Sequence, residues 1–211
     1  MNDFNWVIIG AGELGSEIYH IFFKNSKRKL SYFVDDDKSK KKLLGKDIIS
    51  FKNLLKLKKK INFVLAILDQ KVRKIKIKKL SKFKNLIPQN LVHDQALMYN
   101  ELQFEKGNIF YPYSNINYGS VIGNFNIFQF NSSIGHKTNF KNNNFIGSNS
   151  TISSDCKINS NVFIGANSNI MRGVKIKSGV YIAPSSLINK NIDKNLKVLT
   201  FPRLVFSKIK N

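Results

Sequence analysis

From Phe110 onward, large apolar residues recur at every sixth position: Phe110, Ile116, Ile122, Phe128, Ile134, Phe140, Ile146, Ile152, Ile158, Ile164, Ile170, Ile176, Ile182 and Ile188. The residue four places after each station is usually small or β-branched, as at Ser114, Ser120, Ser132, Thr138, Ser150, Cys156, Val162, Ser168, Val174, Val180 and Ser186. A helix repeats near 3.6 residues and a flat strand at 2, so neither explains the pattern. A period of six predicts a left-handed parallel β-helix, a three-sided solenoid whose stations face the interior. Fourteen hexapeptides make between four and five coils, each burying its faces only against its neighbours.

His136, in SSIGHKTNF (132–140), falls two residues after the station Ile134. The repeat therefore places it at a turn between faces and pointing outward, where a packing histidine is not expected. Cys156 fills a small-residue slot and is not expected to act as a nucleophile.

The first 90 residues carry a different pattern. WVII (6–9) reads as a short buried strand. Gly10-Ala11-Gly12-Glu13-Leu14-Gly15 follows, and then SEIYHIFF, in which Ile18, Ile21 and Phe22 share a helical face. This strand–turn–helix with G-x-G-x-x-G spacing lets backbone N–H groups approach a phosphate or nucleotide. KLSYFV reads as a second strand running into Asp35, Asp36 and Asp37. An acid about 20 residues past such glycines meets a ribose in dinucleotide folds. INFVLAIL (61–68) reads as a strand and VRKIKIKKLSKF (72–83) as a helix, and the pattern stops near Pro88. That leaves room for three or four parallel strands, half of a nucleotide site and too little for a full NAD domain. The expected organisation is a small α/β Rossmann-like domain over 1–90, a left-handed parallel β-helix over 91–200 and a tail over 201–211.

Composition adds less. The formal charge is +22. The lysines are scattered beside abundant Asn, Ile and Phe, as compositional bias would give, and no aromatic–basic module for nucleic acid is visible. A cationic field still favours a phosphate-bearing ligand. One cysteine fits a reducing cytoplasm. The sequence shows no secretory signal and no apolar run long enough for a bilayer, so neither export nor membrane insertion is expected.

Together these residues resemble the bacterial left-handed β-helix sugar acyltransferases, the group of sialic acid O-acetyltransferases and nucleotide-amino-sugar N-acetyltransferases. VIIGAGELGSEI with YFVDDD resembles the small sugar-nucleotide domain of that family. LVHDQALMYN (91–100), with His93, resembles the start of its solenoid, and SSIGHKTNF its catalytic-histidine segment. NVFIGANSNIMRGVKIKSGVYIAPSSLINKNI (161–192) is similar to its acetyl-coenzyme A coils.

The resemblance implies a cytoplasmic homotrimer of surface-glycan (lipopolysaccharide) biosynthesis, with acetyl-CoA as co-substrate, a nucleotide-linked amino sugar of the UDP-4-amino-sugar type as acceptor, and no metal. His136 would be the general base of a direct attack. An imidazole, with an ordinary pKa of about 6.5, can take an amine proton near neutrality. Gly10, Gly12, Gly15, Asp35 and Asp36 would hold the nucleotide. Gln129 would stand near the sugar. Ser154, Ala166 and Pro184 would line the acetyl and pantetheine path. Pro202 and Arg203 resemble a remnant of the family's C-terminal segment.

The chain also departs from the family. Lys137 occupies the catalytic-site position after the histidine where an acid is usual, Leu14 replaces a histidine of the glycine turn, and Gln129 and Ser154 differ too. Asp94 and Glu101 are other carboxylates early in the solenoid. Two alternatives stay open: O-acetylation of a sialic-acid-like sugar, and a weakly active or inactive sugar-nucleotide-binding solenoid.

Overall fold

The computed structural model describes residues 5–99 and 102–199. The N-terminal domain runs β1 (Asn5–Ile9), α1 (Glu13–Phe22), β2 (Leu30–Val34), β3 (Lys42–Leu43), β4 (Lys46–Ile49), α2 (Phe51–Lys56), β5 (Ile61–Leu65), α3 (Gln70–Leu80) and β6 (Leu86–Pro88). Its sheet order is β3-β4-β2-β1-β5-β6. All pairs are parallel except the β3–β4 hairpin. That hairpin turns on Leu44 and Gly45, both at positive φ.

β1 reads as a continuous apolar run because both of its faces are covered. Ile8 packs with Leu14, Ile18 and Phe33 on the α1 side. Val7 and Ile9 pack with Phe51, Leu54 and Leu80 on the other. Five strands are parallel, more than the three or four expected. β4 and β6 are short and carry too little apolar pattern to stand out. α3 begins two residues before the expected helix because Asp69 caps it, its carboxylate accepting from the N–H groups of Lys71 and Val72.

The second half is a left-handed parallel β-helix of three sheets. Sheet one has seven strands beginning at Leu91, sheet two six beginning at Leu97, and sheet three five beginning at Gln103. Coiling starts before Phe110: strands at Leu91–Val92, Leu97–Met98 and Gln103–Phe104 pair in register with the next coil. The six-residue step breaks near the end. Ile192 rather than residue 194 bridges Ile176, so the last turn is two residues shorter.

The apolar stations form one buried interior from Phe110 to Ile188. Three residues past a station the backbone turns left-handed, with positive φ at Tyr113, Gly119, Phe125, Asn131, Lys137, Asn143, Asn149, Asp155, Asn161, Asn167, Gly173, Gly179 and Ser185. Asn and Gly are the residues that adopt this region at least cost. Much of the chain's asparagine is therefore structural.

At the next position Asn108, Asn126 and Asn144, all fully buried, form a ladder one coil apart. Asn108 Oδ1 accepts from Asn126 N, Asn126 Oδ1 from Asn144 N, and Asn144 Oδ1 from Val162 N. The two domains share a core. Leu91, Ile109, Ile127 and Phe145, on the outward side of sheet one, pack with Phe22 of α1 and with Phe23 just after it. α3 adds polar ties: Gln70 donates to the Val162 carbonyl, and the fully buried Arg73 donates through Nη2 to the Phe125 carbonyl at 2.6 Å.

Candidate functional site

Each turn from sheet two to sheet three carries one side chain of a ladder that runs Tyr118, His136, Ser154 and Arg172, each a coil from the next. His136 is half-buried. Its imidazole stacks on the exposed Tyr118 ring, centroids 5.2 Å apart and planes 8° from parallel. On the other side Ser154 Oγ lies 2.9 Å from Nδ1. Backbone bonds fix the corner: Lys137 N donates to the Tyr118 carbonyl and Asp155 N to the His136 carbonyl. Gly135 precedes it because a Cβ there would lie 2.5 Å from Ser154 N.

Lys137 is exposed and occupies the left-handed position, φ +55°. Its Cγ lies against the space above Gly119. The carboxylate nearest along this edge, Asp155, is engaged by Arg172 at 2.8 Å. Asp94 pairs instead with His93 Nδ1 at 2.9 Å. Glu101, Pro202, Arg203 and the 201–211 tail lie outside the described residues. Cys156 is buried, donates to the Met171 carbonyl, and has its thiol pKa pushed up by burial. It is a poor nucleophile.

The strand ends of the N-terminal domain form a second cluster. A cavity of about 260 Å³ is lined by Gly10, Asp35, Asp36 and Lys76 together with apolar residues including Ile67 and Val72. A Cβ on Gly10, which has φ +119°, would strike the Ala66 carbonyl, and one on Gly15 would strike the Gly10 carbonyl. These two glycines hold the turn together. Over Gly12 the space is open.

The turn is not a bare phosphate cradle, however, because Asp35 Oδ2 already accepts from Ala11 N at 3.0 Å. Asp36 accepts from Phe51 N and pairs with Lys76 at 2.6 Å. Burial pushes its pKa up, but the Lys76 and Phe51 hydrogen bonds and the nearby lysine charges outweigh that, and the net shift is downward. Lys76 Nζ also sits 3.8 Å from the Phe51 ring centroid. Lys76 was not legible from sequence because a lysine in KIKIKK carries no spacing signal.

Gln129 lies between the domains, its Nε2 3.4 Å from Glu17 of α1 and its Oε1 accepting from Ser148. Ala166 and Pro184 lie one coil apart, with Ser148, at the turn from sheet one to sheet two. This is a different edge of the prism from the one that holds His136. Within one chain the structure thus groups Gly10, Asp35 and Asp36, groups His136 with Ser154, and leaves Ala166 and Pro184 apart from both. Among the described residues no cluster of three His, Cys, Asp or Glu side chains could hold a metal ion, and no helix is long and apolar enough to cross a membrane.

Residues 5–80 match the PglD N-terminal domain model, and residues 137–170 and 155–190 match the bacterial transferase hexapeptide model. No curated protein sequence matches the chain. Perosamine N-acetyltransferase from Caulobacter crescentus, solved with CoA and GDP-perosamine, superposes with a TM-score of 0.83 at 17% identity over 92% of each chain. The acetyltransferase domain of PglB from Neisseria gonorrhoeae, solved with acetyl coenzyme A, gives 0.81 at 17% identity over 92% of this chain and 94% of that one. WeeI from Acinetobacter baumannii gives 0.68 at 18% identity over 92% and 95%. At these identities the likeness is one of fold.

Proposed function

We propose that this chain, which joins a PglD-type N-terminal domain to a hexapeptide β-helix, is an acetyl-CoA-dependent N-acetyltransferase acting on a nucleotide-linked amino sugar, with His136 as general base. The observation that carries the reading is the corner itself. An imidazole projects from the solenoid, held on one face by Tyr118 and at Nδ1 by Ser154. In the tautomer whose Nδ1–H donates to Ser154 Oγ, Nε2 is left as the acceptor. The two relatives solved with CoA or acetyl coenzyme A, one of them with an amino-sugar nucleotide, support the substrate pair.

The amine nitrogen of the sugar attacks the thioester carbonyl, and Nε2 takes the proton the amine loses. The C–S bond breaks as the tetrahedral adduct collapses, and the imidazolium returns that proton to the departing thiolate. No covalent enzyme intermediate forms. The nucleotide end of the acceptor sits at Gly10, Gly12, Gly15, Asp35 and Asp36, and the pantetheine arm runs past Ala166 and Pro184. Because these groups sit on separate parts of one chain, the complete site draws on more than one copy, in a homotrimer.

Ser154 takes over part of the orienting work of an acid after the histidine. Lys137 keeps a second reading open, a solenoid that binds sugar nucleotides without efficient transfer. Labelled acetyl-CoA supplied with nucleotide-linked 4-amino sugars or with sialic-acid-like acceptors decides among N-transfer, O-transfer and binding alone. Transfer to the amine that disappears in His136→Ala is the expected result. Transfer undiminished in that variant removes the histidine from the chemistry.

A further inference from the structure

One crevice involves none of the residues placed in the proposed reaction. It measures about 700 Å³ and lies between the start of α3 and the late coils of the solenoid. Its floor continues the outward stripe of sheet one. Under the N-terminal domain that stripe is buried at Leu91, Ile109, Ile127 and Phe145, and beyond the domain it emerges as Phe163 and then Tyr181. Phe145, Phe163 and Tyr181 stack face to face at 4.9 Å, within 5° of parallel. Lys197 Nζ lies 5.4 Å from the Tyr181 centroid.

Ring faces are therefore occupied by one another, and what the crevice offers is ring edges. A sugar stacks on a ring face and finds none here. A flat π-system laid across two successive edges makes edge-to-face contacts with both, the geometry the ring quadrupole favours.

The opposite wall is basic. Lys71 and Lys74 point into the crevice, and among the described residues neither has an ion-pair partner. The carboxylate that lines it, Asp69, accepts through Oδ1 from two N–H groups at the start of α3. Asn161 at the rim uses its carbonyl for Asn143 and keeps its amide N–H groups for a ligand. We infer that this crevice is a second binding site, for a nucleoside phosphate, with the base across the Phe163 and Tyr181 edges and the phosphate on Lys71 and Lys74. It lies on the other side of α3 from the Gly10–Asp36 cavity and is a different place from the acceptor seat.

Isothermal titration of the full chain with uridine diphosphate, adenosine 3′,5′-bisphosphate and inorganic pyrophosphate tests it without any assay of acetyl transfer. Two nucleotide-binding events per chain are expected. One weakens about tenfold in Lys71→Gln/Lys74→Gln and in Tyr181→Ala, while the other is unchanged. Preference for the adenosine or the uridine nucleotide identifies whether the occupant comes from the coenzyme or from a sugar nucleotide. Isotherms identical in parent and variants overturn the inference. So does pyrophosphate binding as tightly as the nucleotides, which would reduce the crevice to a lysine patch.

Discussion

Ser154 Oγ lies 2.9 Å from His136 Nδ1, across one coil of the solenoid. The contact predicts graded losses. His136→Ala lowers kcat by about 10²–10⁴-fold, the usual worth of a positioned base. Ser154→Ala lowers it about tenfold with little change in KM, since a misoriented base costs turnover more than binding. Nitrogen-15 spectra of the parent report an Nε2-acceptor tautomer that Ser154→Ala loses, whether or not an acceptor sugar is in hand. Ser154→Asp places a carboxylate at Nδ1 and moves the acid limb of the pH–rate profile upward.

Lys137 pays for its corner. A non-glycine residue in the left-handed region costs roughly 1–2 kcal/mol, and asparagine least among the rest. Lys137→Asn is expected to raise stability by up to about 1 kcal/mol in chemical denaturation. Lys137→Gly gains less, because glycine also frees the unfolded chain. A loss of stability in Lys137→Asn would mean that the lysine stem makes a contact worth more than the strain.

The asparagine ladder is less forgiving. Asn126→Ala leaves the N–H of Asn144 without its acceptor in a fully buried position. The expected cost is about 1–3 kcal/mol from the stranded donor alone. Asn142→Ala, at an exposed position of the same kind of ladder, should cost much less. Equal midpoints for the two variants would rule out burial as the reason for the ladder.

Arg73 is a buried cation whose Nε and Nη1 have no partner among the described residues, and burial pushes its pKa down to about 10. The unfolded chain, with an ordinary guanidinium pKa, binds more protons than the folded one above pH 10. Stability from this group therefore rises with pH in that range, and the charge is a liability below it. Arg73→Met should be near neutral or stabilising at pH 7. Its advantage over the parent should shrink above about pH 10, as read from urea midpoints at the two pH values. A large destabilisation at pH 7 would assign the net energy to the bond with the Phe125 carbonyl.

The solenoid was legible because a six-residue period survives over many repeats and few other folds use it. Its first coil was harder to see. Val92, Met98 and Phe104 keep the phase, but acids and Met–Tyr–Asn between them blur it. Asn126 and Asn144 broke the expected rule of small or β-branched residues. They answer a hydrogen-bonding need of the stacked backbone that hydrophobic periodicity cannot report. At the candidate site, His136 was marked by its phase in the repeat. Its contacts with Tyr118 and Ser154 lie eighteen residues away in either direction, and they become neighbours only when the coil length is applied to side chains that carry no motif of their own. Lys76 reaches Asp36 from forty residues away, a pairing no local pattern encodes.

The shortened last turn, from Ile188 to Ile192, bears on solubility. A stack of parallel coils ends in unpaired strand edges, the kind of surface that recruits further strands from another molecule. Here the final coil is pinched out of step with an eighteen-residue ring, and Lys190, Lys194 and Lys197 are set around it. Among the described residues that rim is mismatched and cationic, which disfavours a second prism continuing the lattice from it.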